Sequence, residues 1–166
     1  MMITNATVVT MNSQHQIIED GAVVIEGERI IEVGESDALK KHFSLDVVVD
    51  AKDKVVLPGF VNAHTHLPSL FVRGVYGVVT EGLFKILFPI KRYIESKQMH
   101  IFSLASCLEA INFGSTCVVE TYSYIEEFAK AAHETGLRAV VGEQVADVNY
   151  DKLKDGVYEY LPDQGS

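Results

Sequence analysis

The chain has 166 residues, of which 48% are hydrophobic and 22% are charged, a composition typical of a globular protein with a sizeable core. Its formal net charge is −9 and it has no basic stripe that could follow a phosphate backbone, so we expect no nucleic-acid partner. No apolar run reaches the length of about 18 residues that predicts a membrane span, so we expect no membrane partner either.

Residues 1–57 predict a small β module. Short runs rich in Val and Ile alternate with glycines, which is typical of strands; these runs are ITNATVVTM, AVVIEG, RIIEVG and DVVVD. Gly27 and Glu28 predict a tight turn between the second and third runs, and DALKKHF predicts one short helix with Ser36 as its N-cap. The first residues lack the basic stretch, apolar core and cleavage site of a signal peptide, so we expect a cytoplasmic protein.

Residues 58–166 show a different pattern, in which strands alternate with helices. The strand-like runs GFVNAH, STCVVET and LRAVVGEQV are separated by helical stretches, which gives the order β-α-β-α-β. That order predicts a parallel sheet with right-handed crossovers, either open and doubly wound or part of a closed barrel. No Gly-x-Gly-x-x-Gly motif follows a strand, so dinucleotide binding has no support. A complete eight-stranded barrel needs about 250 residues, so if the fold is a barrel, we expect this chain to hold only its beginning.

Two helices of this region have an apolar face and a glycine after their last residue. The first begins at Ser96, a candidate N-cap, and ends before Gly114. The second covers IEEFAKAAHET and ends at Gly136. A third, nearly all-apolar helix is predicted over residues 81–95, where Pro89 should end or kink it. We interpret the two cysteines as buried thiols, because their number and spacing fit neither a disulfide framework nor a structural zinc site.

The pair His64 and His66 is the strongest chemical signal in the sequence. The two residues end the apolar run GFVNAH, and residues two apart in a strand point to the same face. Two imidazoles on one face can bind one metal ion, and the carboxyl ends of parallel strands are where active sites gather. By itself, a His-x-His pair also fits two partly exposed histidines in a turn that are satisfied by water.

The segment VVLPGFVNAHTHLP, preceded by a β module, resembles the opening of the amidohydrolase superfamily. The resemblance continues through LFVRG, SLASCLEAINFGSTCVVETY and AAHETGLRAVVGEQV. It is closest to the branch that contains the chlorohydrolases and the cytosine, guanine and adenosine-type deaminases. The resemblance implies a (β/α)₈ TIM-like barrel with an appended β-sandwich, of which residues 1–57 would be the N-terminal part and residues 58–166 the first three barrel strands or so.

The resemblance also implies a metal-dependent hydrolase. In this family His64 and His66 would bind one divalent metal ion, with zinc expected and iron or manganese as alternatives. Later barrel strands supply the remaining ligands and the general acid or base, which we therefore expect outside this chain. The metal-bound hydroxide would attack a carbon of a heterocyclic amine and release ammonia, so a hydrolytic deaminase is the first hypothesis.

Other functions remain open at this point. A dechlorinase or an amidase would use the same metal with a different leaving group. Alternatively, this polypeptide is an inactive fragment or half of a split enzyme that lacks the remaining ligands, so activity is expected of the full-length protein and is undecided for the 166 residues alone. The expected partners are a small-molecule substrate and either a second copy of the chain or the missing C-terminal part.

Three further residues are candidates for the substrate pocket, each with a plainer alternative. Glu120 ends the run STCVVE and could face the site or be a solvated carboxylate. Glu143 follows RAVVG with the same two options. Arg73 could steer an anionic substrate or form a salt bridge within its loop. In adenosine-type relatives that resemble LFPIKRY, a Glu that contacts the ribose occupies the place of Lys91, and a lysine cannot accept hydrogen bonds from hydroxyls.

Overall fold

The computed structural model describes residues 1–75, 81–91, 93–144, 149, 152, 157 and 159. By its internal contacts the chain divides into two compact units, Met1–Pro58 and Gly59–Ser166. Among the described helices, none combines the length and the apolar character that a membrane crossing requires.

The first unit is built on one mixed β-sheet. Its elements are β1 (Met2–Val9), β2 (Ile17–Glu26), β3 (Arg29–Glu35), α1 (Ser36–His42), β4 (Val48–Asp50) and β5 (Val55–Val56). The strand order is β3-β2-β1-β4, and β5 also pairs with β1. The β1–β2 and β2–β3 pairs are antiparallel, whereas β4 and β5 run parallel to β1. The described part of this unit forms a single sheet, so a sandwich with a second layer stays a prediction.

Ser36 has a different role in this unit from the predicted N-cap. The residue before α1 is Glu35, and Ser36 is the first residue of the helix and fully buried. Its hydroxyl donates to the carbonyl of Gly21 at 2.9 Å and accepts from the backbone N–H of Asn5 at 2.9 Å. The prediction was wrong because a serine hydroxyl can satisfy the backbone of neighbouring strands as well as that of its own helix.

The second unit contains the strands and helices that follow residue 58. They are β6 (Phe60–Thr65), a 3₁₀ helix (Leu67–Val72), a π-helical turn (Leu83–Leu87), α2 (Phe88–Lys91), α3 (Ser96–Asn112), β7 (Ser115–Tyr122), α4 (Ile125–Thr135) and β8 (Arg138–Glu143). The strands form a parallel sheet in the order β6-β7-β8. The predicted parallel α/β arrangement is thereby confirmed, whereas closure into a barrel remains a prediction.

The ends of α3 and α4 show which cap signals were correct. Gly114 and Gly136 follow the two helices with φ values of +85° and +76°, a conformation that favours glycine. The N-cap of α3 is Glu95 and not Ser96, and its backbone N–H donates to Oε1 of Gln98 at 2.8 Å in a capping box. The predicted helix over residues 81–95 is shorter than expected: it begins with the π-helical turn and ends at Lys91.

The core of this unit lies between β7 and the helices α3 and α4. Its fully or nearly fully buried members are Cys107, Val118, Phe128, Ala131, Ala132 and Leu137. The small alanines on α4 let that helix approach the sheet, and Phe128 fills the space that remains. This packing fixes the position of β7 against α3 and α4.

Cys107 gives a chemical test of this packing. Burial raises the pKa of its thiol to about 11, so the reactive thiolate is scarce at neutral pH. We expect iodoacetamide to leave Cys107 unmodified in the folded protein and to modify it after unfolding in urea, as measured by mass spectrometry of its peptides. Modification at the same rate in both samples would show that the α3–β7 core is open to solvent.

Candidate active site

The two histidines of the motif lie where β6 ends. His64 is in the strand, and His66 directly follows its last residue, Thr65, with φ −135° and ψ 57°. Pro68 lies in the first turn of the 3₁₀ helix that follows, where its missing N–H is tolerated. The imidazole ring centroids are 4.8 Å apart, and the ring planes meet at 74°. Both rings are therefore close enough to bind a shared ligand.

A pocket of about 430 Å³ opens beside this pair. Its lining residues come from β6, from the 3₁₀ helix and the residues on either side of it, and from α3; they are Asn62, His64, Thr65, His66, Leu67, Ser69, Leu70, Arg73, Gly74 and Ser106. The wall combines two imidazoles, an amide, three hydroxyls and a guanidinium with two leucine side chains. Such a mixture of a few polar groups in an apolar cavity is typical of small-molecule sites.

Glu120 on β7 is fully buried and contacts two residues that line this pocket. Its Oε2 accepts two hydrogen bonds, one from the Thr65 hydroxyl at 2.8 Å and one from the Leu67 backbone N–H at 2.7 Å. Burial raises the pKa of Glu120 to about 7, although these two donors and, more weakly, the backbone of Thr121 act in the opposite direction. Glu120 is thus neither in the pocket wall nor solvated; it ties β7 to the end of β6.

The second carboxylate oxygen of Glu120 faces His66. Within the described part of the chain, Oε1 is buried and has no hydrogen-bond partner. It lies 3.8 Å from Nδ1 of His66. A buried carboxylate oxygen without a donor is uncommon in native structures and calls for a physical explanation.

His66 itself is in an environment that favours the neutral imidazole. Burial lowers its pKa first, and the nearby His64 and Lys91 lower it further, while the backbone of Thr121 opposes them with a hydrogen bond. A neutral imidazole has a free lone pair on one ring nitrogen. His66 is therefore in the protonation state that metal binding requires.

Lys91 lies close to the same end of the sheet. Its Nζ is 4.3 Å from the centre of the Tyr122 ring and donates to Oε1 of Gln144 at 3.1 Å. Burial lowers the pKa of Lys91, and the charge of Glu143 opposes this shift. The Tyr122 ring is in turn 5.4 Å from the ring of His66. The Tyr122 ring thus lies near both the Lys91 ammonium group and the imidazole of His66.

Arg73 and Glu143 have structural partners. Arg73 lines the pocket, but its guanidinium forms two hydrogen bonds with the Glu109 carboxylate on α3, at 3.0 and 2.5 Å. Oε2 of Glu143 accepts from the backbone N–H of Ile125 at 3.2 Å, so it stabilises the first turn of α4. The salt bridge of Arg73 joins its loop to α3, whereas the alternative considered from sequence was one within the loop.

Sequence reasoning did not identify the roles of Thr65 and Tyr122. Alternation in the strand indicated only that Thr65 points away from the histidines, and its contact with Glu120 joins residues 55 positions apart. No local sequence pattern signals the approach of the Tyr122 ring to His66 and Lys91.

The site fits part of a metal centre. Two imidazoles that share a pocket are suitable donors for zinc, which takes three protein ligands in its catalytic sites. Among the described residues no set of three or more His, Cys, Asp or Glu side chains could hold a metal ion. His64 and His66 would therefore supply two donors, and a complete centre would need further ligands.

Comparisons with known proteins agree with this geometry. The chain is 35% identical over 162 residues to the 5-methylthioadenosine/S-adenosylhomocysteine deaminase of Caldanaerobacter subterraneus subsp. tengcongensis, covering 93% of this chain and 36% of that protein. An adenosine deaminase from Xanthomonas campestris solved with bound zinc superposes with a TM-score of 0.77 and 27% identity, over 84% of this chain and 32% of that one. The atrazine chlorohydrolase TrzN from Arthrobacter aurescens TC1, solved with zinc, shares the fold with a TM-score of 0.73 and 22% identity, over 91% and 37% of the two chains.

The chain thus spans about a third of the length of the curated relatives it matches. The model of the amidohydrolase family matches residues 55–164, a range that includes the histidine pair, the pocket and Glu120. This chain belongs to the amidohydrolase family.

Proposed function

We propose that the full-length protein is a metal-dependent hydrolase, and specifically a hydrolytic deaminase of a heterocyclic amine. The observation that carries the proposal is the pair His64 and His66, whose rings are 4.8 Å apart beside a pocket of about 430 Å³. Two comparisons support this chemistry: the chain matches the amidohydrolase family, and the relative named above is a deaminase.

His64 and His66 would hold one divalent metal ion, with zinc as our first choice because solved relatives contain it. When bound, such a metal lowers the pKa of a coordinated water toward about 7 and so supplies hydroxide at neutral pH. This chain's own residues prepare the site in three ways. Glu120 fixes the end of β6, the pocket wall surrounds a small substrate, and burial keeps His66 neutral.

For the substrate we propose a heterocyclic amine, without limiting it to nucleosides. The relatives deaminate adenosine derivatives according to their names. Lys91, however, offers only donors near His66 and Tyr122, and it cannot accept hydrogen bonds from ribose hydroxyls. A substrate with a hydrogen-bond acceptor or an anionic group next to the amine would suit the Lys91 ammonium group better than ribose hydroxyls would.

A dechlorinase is the second candidate, supported by the fold that this chain shares with the atrazine chlorohydrolase. It would use the same histidine pair with chloride as the leaving group. Under either proposal, the remaining ligands and the general acid or base come from sequence outside these 166 residues or from an associated chain.

Ammonia and chloride release would separate these candidates. The natural-length protein should be incubated with 5-methylthioadenosine, guanine, cytosine and a chlorotriazine, and both products measured. We expect ammonia from at least one amine, and chloride alone would favour the dechlorinase. Release of neither product by protein shown to contain metal would contradict both.

Removal of the metal gives a further prediction. Dialysis against a chelator should abolish ammonia release, and added zinc, iron or manganese should restore it, because the hydroxide depends on the ion. Metal content measured in parallel by mass spectrometry is the control. Full activity in protein shown to be free of metal would exclude this mechanism.

A further inference from the structure

We propose that Glu120 is a positioning residue for His66: its Oε1 accepts the Nδ1 proton and thereby leaves Nε2 as the metal-binding nitrogen. The inference rests on the proposed metal site and assigns to Glu120 a role beyond it. The two oxygens of the carboxylate would then have separate tasks, with Oε2 holding the backbone and Oε1 orienting the imidazole.

The first support is the distribution of partners around the carboxylate. Oε2 has two donors, the Thr65 hydroxyl and the Leu67 N–H, at 2.8 and 2.7 Å. These bonds fix the plane of the carboxylate, so the position of Oε1 is determined by the ends of β6 and β7. Oε1 is completely buried and lacks a hydrogen-bond partner among the described residues. The Thr121 backbone acts only weakly on this carboxyl group, so Oε1 can still accept a hydrogen bond from a nearby donor.

The second support is the position of His66. Its Nδ1 lies 3.8 Å from Oε1, which is beyond the usual hydrogen-bond range of about 2.7–3.2 Å, and a shift of less than about 1 Å closes the gap. The His66 side chain is 44% exposed and lines the pocket, whereas that of Glu120 is 0% exposed. Nδ1 is the ring nitrogen for which a distance of 3.8 Å to the buried Oε1 is observed.

The third support is the chemistry of imidazole. In a neutral ring one nitrogen carries the proton and the other the lone pair, so the partner of one nitrogen decides what the other can bind. Metal-binding histidines usually donate their second N–H to a carboxylate or a carbonyl, which fixes the ring and raises its basicity. The Thr121 backbone is the competing acceptor for His66, and the experiment below distinguishes the two.

The test is the tautomer of His66 in metal-free protein of natural length labelled with ¹⁵N-histidine. Long-range nitrogen–proton NMR correlations identify the ring nitrogen that carries the proton. We expect the proton of His66 on Nδ1. A proton on Nε2 in the unmodified protein would overturn the proposal, and this outcome does not depend on whether any variant folds.

Glu120→Gln is the decisive variant because it keeps the volume of the side chain. Its amide oxygen can still accept from Thr65 and Leu67, which turns the NH₂ group toward Nδ1 of His66. We expect the His66 proton to move to Nε2 and zinc affinity, measured by competition with a chelating dye, to fall about 10–100-fold. An unchanged tautomer and affinity would overturn the proposal and assign the role to Thr121.

Thr65→Val is the matched control, because it removes one donor to Oε2 and leaves Oε1 in place. It should lower the thermal midpoint while the Nδ1 tautomer persists. If Glu120→Gln lowers the midpoint and leaves the tautomer unchanged, as Thr65→Val should, then Glu120 is only structural. The tautomer is measured without metal or substrate. The positioning role of Glu120 can therefore be confirmed even if the deaminase assay fails, and it can be refuted even if deaminase activity is found.

Discussion

Replacing His64 or His66 by alanine is expected to lower kcat/KM of the natural-length protein by at least about 100-fold. Loss of an outer partner of a metal ligand typically costs 10–100-fold, and loss of a ligand should cost no less. Metal content per chain, measured by mass spectrometry on the same samples, should fall together with activity. The effect is expected to be as large for His66, which follows β6, as for His64, which lies within it.

The control for this prediction is His133→Asn. His133 is exposed in the last turn of α4 and is not among the residues that line the pocket. Its replacement should leave metal content and kcat/KM unchanged. If the His64 and His66 variants keep full metal content, the pair is not part of the metal centre, and the proposed function loses its main support.

The periodic features of the second unit were predictable from the sequence. Apolar runs separated by helical stretches predicted the three strands β6, β7 and β8. The helices between them predicted that the strands are parallel. Gly114 and Gly136 marked the helix ends because few other residues adopt positive φ values readily. These features depend on local sequence, and local reasoning is sufficient for them.

Features that depend on distant partners could not be predicted in this way. The position of Glu120 at the end of an apolar run did not indicate whether its carboxylate is buried or exposed. Its burial depends on Thr65 and Leu67, residues of another strand and its following loop. The ion pair of Arg73 likewise depends on Glu109, 36 positions away. Contacts of this kind follow from the packed structure and leave no periodic signal.

The helix caps illustrate the same limit at shorter range. Serine was chosen for both N-caps because its hydroxyl suits that position. At α1 the hydroxyl instead bonds to Gly21 and Asn5, and at α3 the preceding Glu95 has the capping role. A propensity gives the preferred residue type, but the bond that forms depends on which backbone groups lie within reach.

Replacing Phe128 by alanine is expected to lower the free energy of unfolding by about 3–5 kcal/mol, the usual cost of removing a buried phenylalanine ring. Phe128 is 0% exposed and packs with Cys107, Val118 and Leu137 between α3, α4 and β7. The cavity it leaves cannot collapse easily, because backbone hydrogen bonds fix the neighbouring strand and helices. Urea unfolding followed by circular dichroism would measure the loss.

Phe113→Ala is the matched control, since that ring follows α3 and is 77% exposed. It should change the free energy of unfolding by less than about 0.5 kcal/mol. Because Glu120 is on the same strand as Val118, two residues away, loosening this core should also loosen the support of His66. We therefore expect Phe128→Ala to weaken zinc binding as well, whereas equal unfolding midpoints for the two variants would contradict this account of the core.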